Sequence, residues 1–296
     1  MDETTLKMAM AGFFHDMGKF ADNDTLGVTE KYFNDNAGVY LPFREGRHTH
    51  RHALYSAAFI EQMEKLLPPQ LNRGGWGDGD AFINLAAGHH NAETPMQRII
   101  TVADWLTSGM DRDVFDGAKS KNIAVQNYKK TRLLPLLEQL KNPHLDAREK
   151  FSHEYPLRPL SPESIFPVKK EDGGTADGKG EYRALFEGFI KDLALLRHRE
   201  ENVGLWFEHF ESLLMLYASS IPAARVGNVV PDVSLYDPSR LTAAFAAALY
   251  LYHRETGSLE MGKIENKKDQ KFLLVNGNFF GIQDFIFTGY GDSRKY

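Results

Sequence analysis

The sequence predicts a mainly α-helical fold, because apolar residues recur at helical spacing in most of its longer segments. The first of these segments covers residues 4–17, and its apolar face consists of Leu6, Met10, Phe13 and Met17. Only residues 271–275, Lys-Phe-Leu-Leu-Val, carry the apolar run that predicts a β-strand. Since no second segment offers to pair with it, we expect this strand to stay alone.

Composition narrows the class of protein. Hydrophobic residues make up 42% of the 296 residues and charged residues 25%, as in soluble globular proteins. A net charge of −5 argues against nucleic-acid binding over the whole surface, although a local basic groove remains compatible with it. The absence of cysteine excludes thiolate metal sites and disulfides. Without a signal-peptide pattern or an apolar run of spanning length, we expect a cytoplasmic protein that does not bind membranes.

Helices with polar ends follow the first segment. Residues 21–47 are rich in turn formers and predict a loop. Residues 49–67 predict a helix that Pro68 ends, with His52 toward the core and His50 toward solvent. Residues 81–90 predict a helix that closes on His89 and His90, and residues 96–109 predict another.

Two basic clusters have a simple interpretation as solvated surfaces. One lies just after the first hundred residues and contains Lys119, Lys121, Lys129, Lys130 and Arg132. The other surrounds the histidines before the second helix and contains Arg44, Arg47 and Arg51.

Histidine and aspartate recur at the inward edges of these four helices. The predicted metal ligands are His15, Asp16, His52, His89, His90 and Asp104. Neutral imidazoles and hard carboxylate oxygens together suit a divalent transition metal. Four helices that present such groups inward predict a site for one or two ions, which could lower the pKa of water and clamp a phosphodiester.

Several details of this site stay open at the level of sequence. Taken alone, Asp104 is better explained as an N-cap or as a partner of Arg98 or Arg112, and only the other groups favour it as a ligand; either His89 or His90 could be the ligand. Gly18 fits a helix C-cap, and Lys19 follows where a phosphate would be drawn toward the metal.

The second half of the chain predicts further helices around a linker. Residues 116–145 predict a helix that Pro135 could break, and residues 151–180 form a proline- and glycine-rich linker. Residues 182–219 predict helix with an interruption near Gly204. Asp237 and Pro238 predict the start of a last, alanine-rich helix. Trp206, Phe207, Phe210 and Leu214 are expected in the core.

The motifs together resemble those of a known family. They are His15-Asp16-x-Gly18-Lys19, His52-Ala53-x-x-Ser56, Gly88-His89-His90 and Ala103-Asp104-x-x-x-Ser108-Gly109. This combination resembles the HD phosphohydrolase superfamily, and more narrowly the permuted HD nuclease domain of the large, polymerase-like subunit of type III CRISPR effector complexes, subtype III-A. Segments 155–160, 165–167, 230–237 and 278–287 also resemble that subunit.

The resemblance implies a metal-dependent, single-strand-specific deoxyribonuclease in antiviral defence, which hydrolyses phosphodiesters with metal-activated water. It implies His15, Asp16 and Lys19 as catalytic residues and one or two Mn, Ni, Co or Mg ions. It also implies other effector subunits, CRISPR RNA and target RNA as partners. The Gly-Gly-Asp-Asp motif of a later palm domain is absent, so we do not expect synthesis of cyclic oligoadenylate.

The same resemblance divides the chain. It implies an HD nuclease domain over residues 1–115, a linker with a helix over 116–181, a helical connector over 182–268, and the first elements of a ferredoxin-like palm over 269–296. We expect the chain to be an N-terminal portion of the subunit.

Two alternative functions remain. The protein could be an HD-type phosphohydrolase of nucleotides or cyclic nucleotides. It could instead be an assembly module of the CRISPR complex whose metal site is degenerate or only structural.

Overall fold

The computed structural model describes residues 1–112, 122–123, 125–139, 151–170, 178–228, 230–277 and 281. Its helices are α1 (Glu3–Phe14), α2 (Asn23–Leu26), α3 (Glu30–Tyr40), α4 (Arg51–Gln62), α5 (Phe82–Ala87), α6 (Pro95–Arg112), α7 (Leu136–Gln139), α8 (Gly178–Leu193), α9 (Val203–Ala218), α10 (Tyr236–Glu255) and α11 (Met261–Ile264). Its strands are β1 (Phe43–Arg44), β2 (Arg47–His48), β3 (Asn122–Ile123), β4 (His153–Glu154), β5 (Val168–Lys169) and β6 (Gly227–Asn228). The prediction of a mainly α fold is confirmed.

Helix α1 lies at the centre of the molecule. It is buried on every side rather than along one face, because α10, α5 and α6 all pack against it. Gly12 allows α10 to come close, since a Cβ there would lie 2.8 Å from the carbonyl oxygen of Thr242. Phe14 stacks on Phe210 of α9 at a ring-centroid distance of 4.6 Å. A helix that is apolar all round needs such partners, and distant parts of the chain supply them.

One hydrophobic core therefore joins the first hundred residues to the helices after residue 178. Met8 of α1, Phe189 of α8, Trp206 of α9 and Ile264 of α11 all belong to it and are fully buried. The expected core position of Trp206 is thus correct. The boundaries at residues 115, 181 and 268 stay predictions, and the connector helices pack directly on the helices of the first region.

The prediction of a loop over residues 21–47 is wrong. Helices α2 and α3 lie there, followed by a hairpin of β1 and β2. Both helices begin at side-chain caps: Asp22 accepts a hydrogen bond from the backbone N–H of Asp24, and Thr29 accepts one from that of Tyr32. Caps of this kind stabilise short helices that have little apolar periodicity.

Several predicted helices have different ends. The first ends at Phe14, and the helix predicted over residues 49–67 covers Arg51–Gln62. Residues 81–90 form α5 and then a 3-10 turn over Gly88–His90. Segment 182–219 is divided between α8 and α9 at residues 194–202, just before Gly204, which itself lies in the first turn of α9.

The predictions for residues 116–145 and 271–275 are wrong. The described part of the first segment contains β3, a 3-10 turn over Val125–Lys130 and the short α7, which begins directly after Pro135. Residues 271–277 form no strand, and Leu273, Leu274 and Val275 are exposed. A strand is stabilised by hydrogen bonds to a neighbour, and the described residues offer this segment none. Of segment 278–287, only residue 281 lies within the described residues.

One basic cluster also differs from the prediction of a solvated surface. Lys129 is buried, and its Nζ lies 2.9 Å from Asp22 Oδ2 and 2.8 Å from Asp24 Oδ2. Arg132 is buried as well and pairs with Glu181. These ion pairs connect residues 129–132 to α2 and α8. Lys119 and Lys121 lie outside the described residues. Within the described ranges, no helix is both long enough and apolar enough to cross a bilayer.

Candidate metal centre

The side chains that the sequence singled out come together where α1 ends. His15 and Asp16 follow α1, and Lys19 ends the 3-10 turn Met17–Lys19. His52 comes from the first turn of α4, His89 and His90 from the turn after α5, and Asp104 from the middle of α6. All seven predicted site residues therefore lie around one point.

His15 and His89 are oriented in the same way. The Nδ1 of His15 donates to the carbonyl oxygen of Gly12 at 2.7 Å, and the Nδ1 of His89 donates to that of Ala86 at 2.9 Å. Each ring is thereby fixed by the last turn of its own helix, with Nε2 left available. Both side chains are buried, and their ring centroids lie 5.0 Å apart.

Asp16 lies between the other groups. Its Oδ2 is 2.6 Å from Lys19 Nζ and 3.3 Å from His15 Nε2, while its Oδ1 is 3.3 Å from His52 Nε2. Asp104 Oδ1 lies 3.6 Å from the same His15 nitrogen. Burial alone would raise the pKa of the Asp16 carboxyl. Lys19, His15 and His52 outweigh this effect and hold that pKa well below its usual value.

The histidines differ in charge. Burial opposes protonation of His15, yet Asp16 and Asp104 raise its pKa to about 10. Burial lowers the pKa of His89 to about 4, and it also lowers the pKa values of His52 and His90. Three of the four imidazoles are therefore neutral at pH 7, which is the form that binds a metal.

The donor set fits a divalent cation. The Nε2 of His89 is buried and, among the described residues, has no hydrogen-bond partner. The Nε2 atoms of His52 and His90 lie 2.8 Å apart, so one ring has to donate to the other. A buried nitrogen without a partner is costly, and a cation would satisfy all three lone pairs.

Two overlapping ligand sets can be drawn. The ring nitrogens of His52, His89 and His90 lie within 4.8 Å of one another, and so do the ligand atoms of His15, Asp16 and His89. His89 belongs to both sets and His90 to one, so the choice between them as ligands stays open. The two sets together offer enough ligand atoms for one ion or for two.

Close packing of α4 against the 3-10 turn holds this geometry. Ser56 accepts a hydrogen bond from the N–H of Gly18 at 2.9 Å and donates one to the carbonyl of His15 at 2.8 Å. A Cβ on Gly18 would lie 1.9 Å from the carbonyl oxygen of His52. Gly18 is therefore needed because the backbones of the turn and of α4 approach closely. The prediction that Gly18 is a helix C-cap is wrong.

Sequence reasoning missed two residues beside the centre. His50 is exposed as predicted, but its ring lies 4.1 Å from that of His90 because its backbone is left-handed, with φ of 56°. Arg225 donates to the carbonyl oxygen of Lys19 from the other half of the chain. No periodicity indicates either contact, since the first depends on one backbone angle and the second on tertiary packing.

Residues 2–109 match the family model described as the HD domain. This part of the chain is therefore similar to the HD domain. The protein is also 28% identical, over 236 residues, to the "CRISPR system single-strand-specific deoxyribonuclease Cas10/Csm1 (subtype III-A)" of Methanocaldococcus jannaschii. A relative of the same name from Enterococcus italicus is 27% identical over 301 residues. The resemblance that the motifs indicated is confirmed: the chain is similar to Cas10/Csm1.

These matches cover different shares of each protein. They include 71% and 96% of this chain but only 28% and 35% of the two relatives, so the chain spans about a third of their length. A crystal structure of the Csm1-Csm4 subcomplex in the type III-A CRISPR-Csm interference complex aligns with a TM-score of 0.41 and 17% identity, over 84% of this chain and 28% of that one.

Proposed function

We propose that this protein is a metal-dependent, single-strand-specific deoxyribonuclease of a type III CRISPR effector complex. The observation that carries the proposal is the buried, unpartnered Nε2 of His89 among neutral histidines and two carboxylates. The names of the relatives support the choice of substrate. Other effector subunits, CRISPR RNA and target RNA are the partners that we propose on the same ground, in the cytoplasm.

His15, Asp16, His52, His89, His90 and Asp104 would hold one or two ions. A bound Mn, Ni, Co or Mg ion supplies Lewis acidity and lowers the pKa of water, which hydrolysis of a phosphodiester requires. The protein's own residues orient the ligand groups and neutralise the charge of the phosphate. Asp16 is fixed by Lys19 and His52, so its two oxygens face different partners.

We propose that Lys19 contacts the phosphate of the substrate. The Lys19 side chain is one-quarter exposed, whereas its partner Asp16 is buried, so Lys19 lies at the boundary between the site and solvent. A cation there can neutralise a non-bridging phosphate oxygen as negative charge develops.

The test compares cleavage of a labelled single-stranded oligonucleotide in Mn²⁺ with metal content. We expect Asp16→Asn and His89→Gln to lower both by at least tenfold. His209→Gln is the matched control, because His209 is exposed on α9 and its ring stacks on His198, outside the centre. Cleavage by Asp16→Asn at the parent rate would contradict the proposal.

Two results would favour the alternatives. Weak cleavage of DNA with fast turnover of a small nucleotide would indicate a nucleotide phosphohydrolase. A large loss of thermal stability in chelator, with turnover of neither substrate, would indicate a structural metal in an assembly module.

A further inference from the structure

The hairpin before α4 carries an unusual group of exposed side chains. Strands β1 and β2 pair antiparallel through a two-residue turn, Glu45-Gly46, in which both residues have positive φ. This is the tight turn that matches the twist of two strands. It leaves Phe43 65% exposed at the start of the hairpin.

Two arginines face each other across the same hairpin. Arg44 and Arg47 are direct cross-strand partners, and both are exposed. Within the described ranges neither has an ion pair with an acidic side chain, although Glu45 lies between them in sequence. Like charges placed directly opposite one another destabilise a strand pair. An anion that contacts both guanidinium groups would remove this cost.

The hairpin is fixed beside the metal centre. Thr49 closes its base, because its N–H donates to the carbonyl of Pro42 at 3.0 Å. The chain then continues into His50, whose ring lies 4.1 Å from that of His90.

One aromatic side chain next to uncompensated positive charge is the combination that binds single-stranded nucleic acid. Bases stack on an exposed ring, while cations follow the backbone. In a duplex the faces of the bases are already stacked, so a ring such as Phe43 has nothing to bind there. The pattern thus favours an unpaired strand over a duplex.

We propose that the β1–β2 hairpin is a substrate-binding subsite for a single strand of DNA, with a base stacked on Phe43 and phosphates contacted by Arg44 and Arg47. This inference rests on the proposed function, since it assigns to the hairpin the strand that the centre cleaves. The subsite delivers the neighbouring phosphodiester to the residues around His52.

Binding to a fluorescent oligonucleotide in EDTA tests the hairpin without cleavage. Phe43→Ala should weaken binding about 5- to 150-fold, which is the effect of losing one stacked base. Arg44→Gln/Arg47→Gln should lower the slope of log K against log salt by about 1.4, as expected for two lost phosphate contacts. Phe43→Trp should bind as the parent does.

The controls separate this inference from the proposed function. Phe166→Ala and Arg197→Gln remove an exposed aromatic ring and an exposed guanidinium elsewhere, and should change neither quantity. Hydrolysis of bis(p-nitrophenyl) phosphate in Mn²⁺ by the parent protein measures the centre itself, because this substrate has no neighbouring nucleotide for the hairpin to hold. Unchanged binding and salt slope in the hairpin variants would overturn the subsite. Failure of the parent protein to hydrolyse either phosphodiester would instead overturn the proposed function.

Discussion

Replacement of Gly18 by alanine should move the part of the metal centre that follows α1, with His15 and Asp16, away from His52 on α4. The new Cβ would lie 1.9 Å from the carbonyl oxygen of His52 and 2.7 Å from the backbone nitrogen of Ser56. Contacts of a Cβ below 3.0 Å essentially do not occur. Both obstacles are backbone atoms of α4, so no side chain can rotate away, and the 3-10 turn has to move off the helix.

The cost follows from this displacement. Overpacking of a well-filled core costs about 1–3 kcal/mol, and occasionally more. Gly18→Ala should fall at or above the upper end, because the shift also breaks the hydrogen bonds that Ser56 makes to Gly18 and His15. It would further draw His52 away from Asp16, whose facing atoms are 3.3 Å apart.

Urea denaturation with and without Mn²⁺ measures both effects. We expect the free energy of unfolding of Gly18→Ala to fall by about 3 kcal/mol or more, and the stabilisation by Mn²⁺ to disappear. Gly38→Ala is the control: Gly38 lies within α3, and a Cβ added there would meet nothing within 4 Å, so alanine should stabilise by about 0.5–1 kcal/mol. A loss below about 1 kcal/mol in Gly18→Ala, with the Mn²⁺ effect intact, would refute the reasoning.

Three further changes test the charges around the site. Lys129→Met should cost about 3–5 kcal/mol because it leaves the buried Asp22 unpaired, and adding Asp22→Asn should recover part of the loss in urea denaturation. In chelator, the protein should lose stability as the pH falls from about 6.5 to about 4, because the unfolded chain takes up a proton at His89 that the folded state does not. His89→Gln should reduce this loss of stability by at most about 3 kcal/mol over that pH range. Arg225→Met should cost about 1–3 kcal/mol by leaving the carbonyl of Lys19 without its donor, again measured by urea denaturation.

Each of these has a result that would contradict it. Equal stability of Lys129→Met and the parent protein would mean that the ion pair is not buried in solution. An unchanged acid slope in His89→Gln would mean that His89 is protonated in the folded protein. For Arg225→Met, a variant as stable as the parent would show that another group replaces the donor.

The sequence was sufficient for those parts of the centre that depend on helix faces. His52 and Asp104 could be assigned inward positions because they interrupt apolar faces at helical spacing, and the structure brings both to within 3.6 Å of a partner in the site. His15 and Asp16 could be assigned because a helix must end near them. Periodicity is a local property, so it predicts which side of a helix is buried.

What the sequence could not predict depends on contacts between distant segments. Lys129 looked like a surface charge because its partners, Asp22 and Asp24, are more than a hundred residues away. The buried state of α1 on all sides depends on α10, which no local pattern connects with it. The absent strand over residues 271–275 shows the same limit, since a strand requires a neighbour as well as suitable side chains.

The packing of α1 against α10 has a consequence for biosynthesis. Helix α1 leaves the ribosome before α10, which packs on it and begins only at Tyr236, and Arg254 near the end of α10 pairs with Asp2. Contacts between such distant residues form late and slowly, because a long loop has to close first. The histidines and aspartates of the centre are therefore already made while the chain between Asp104 and Tyr236 is still being synthesised, and the centre matures only after α10 has been made.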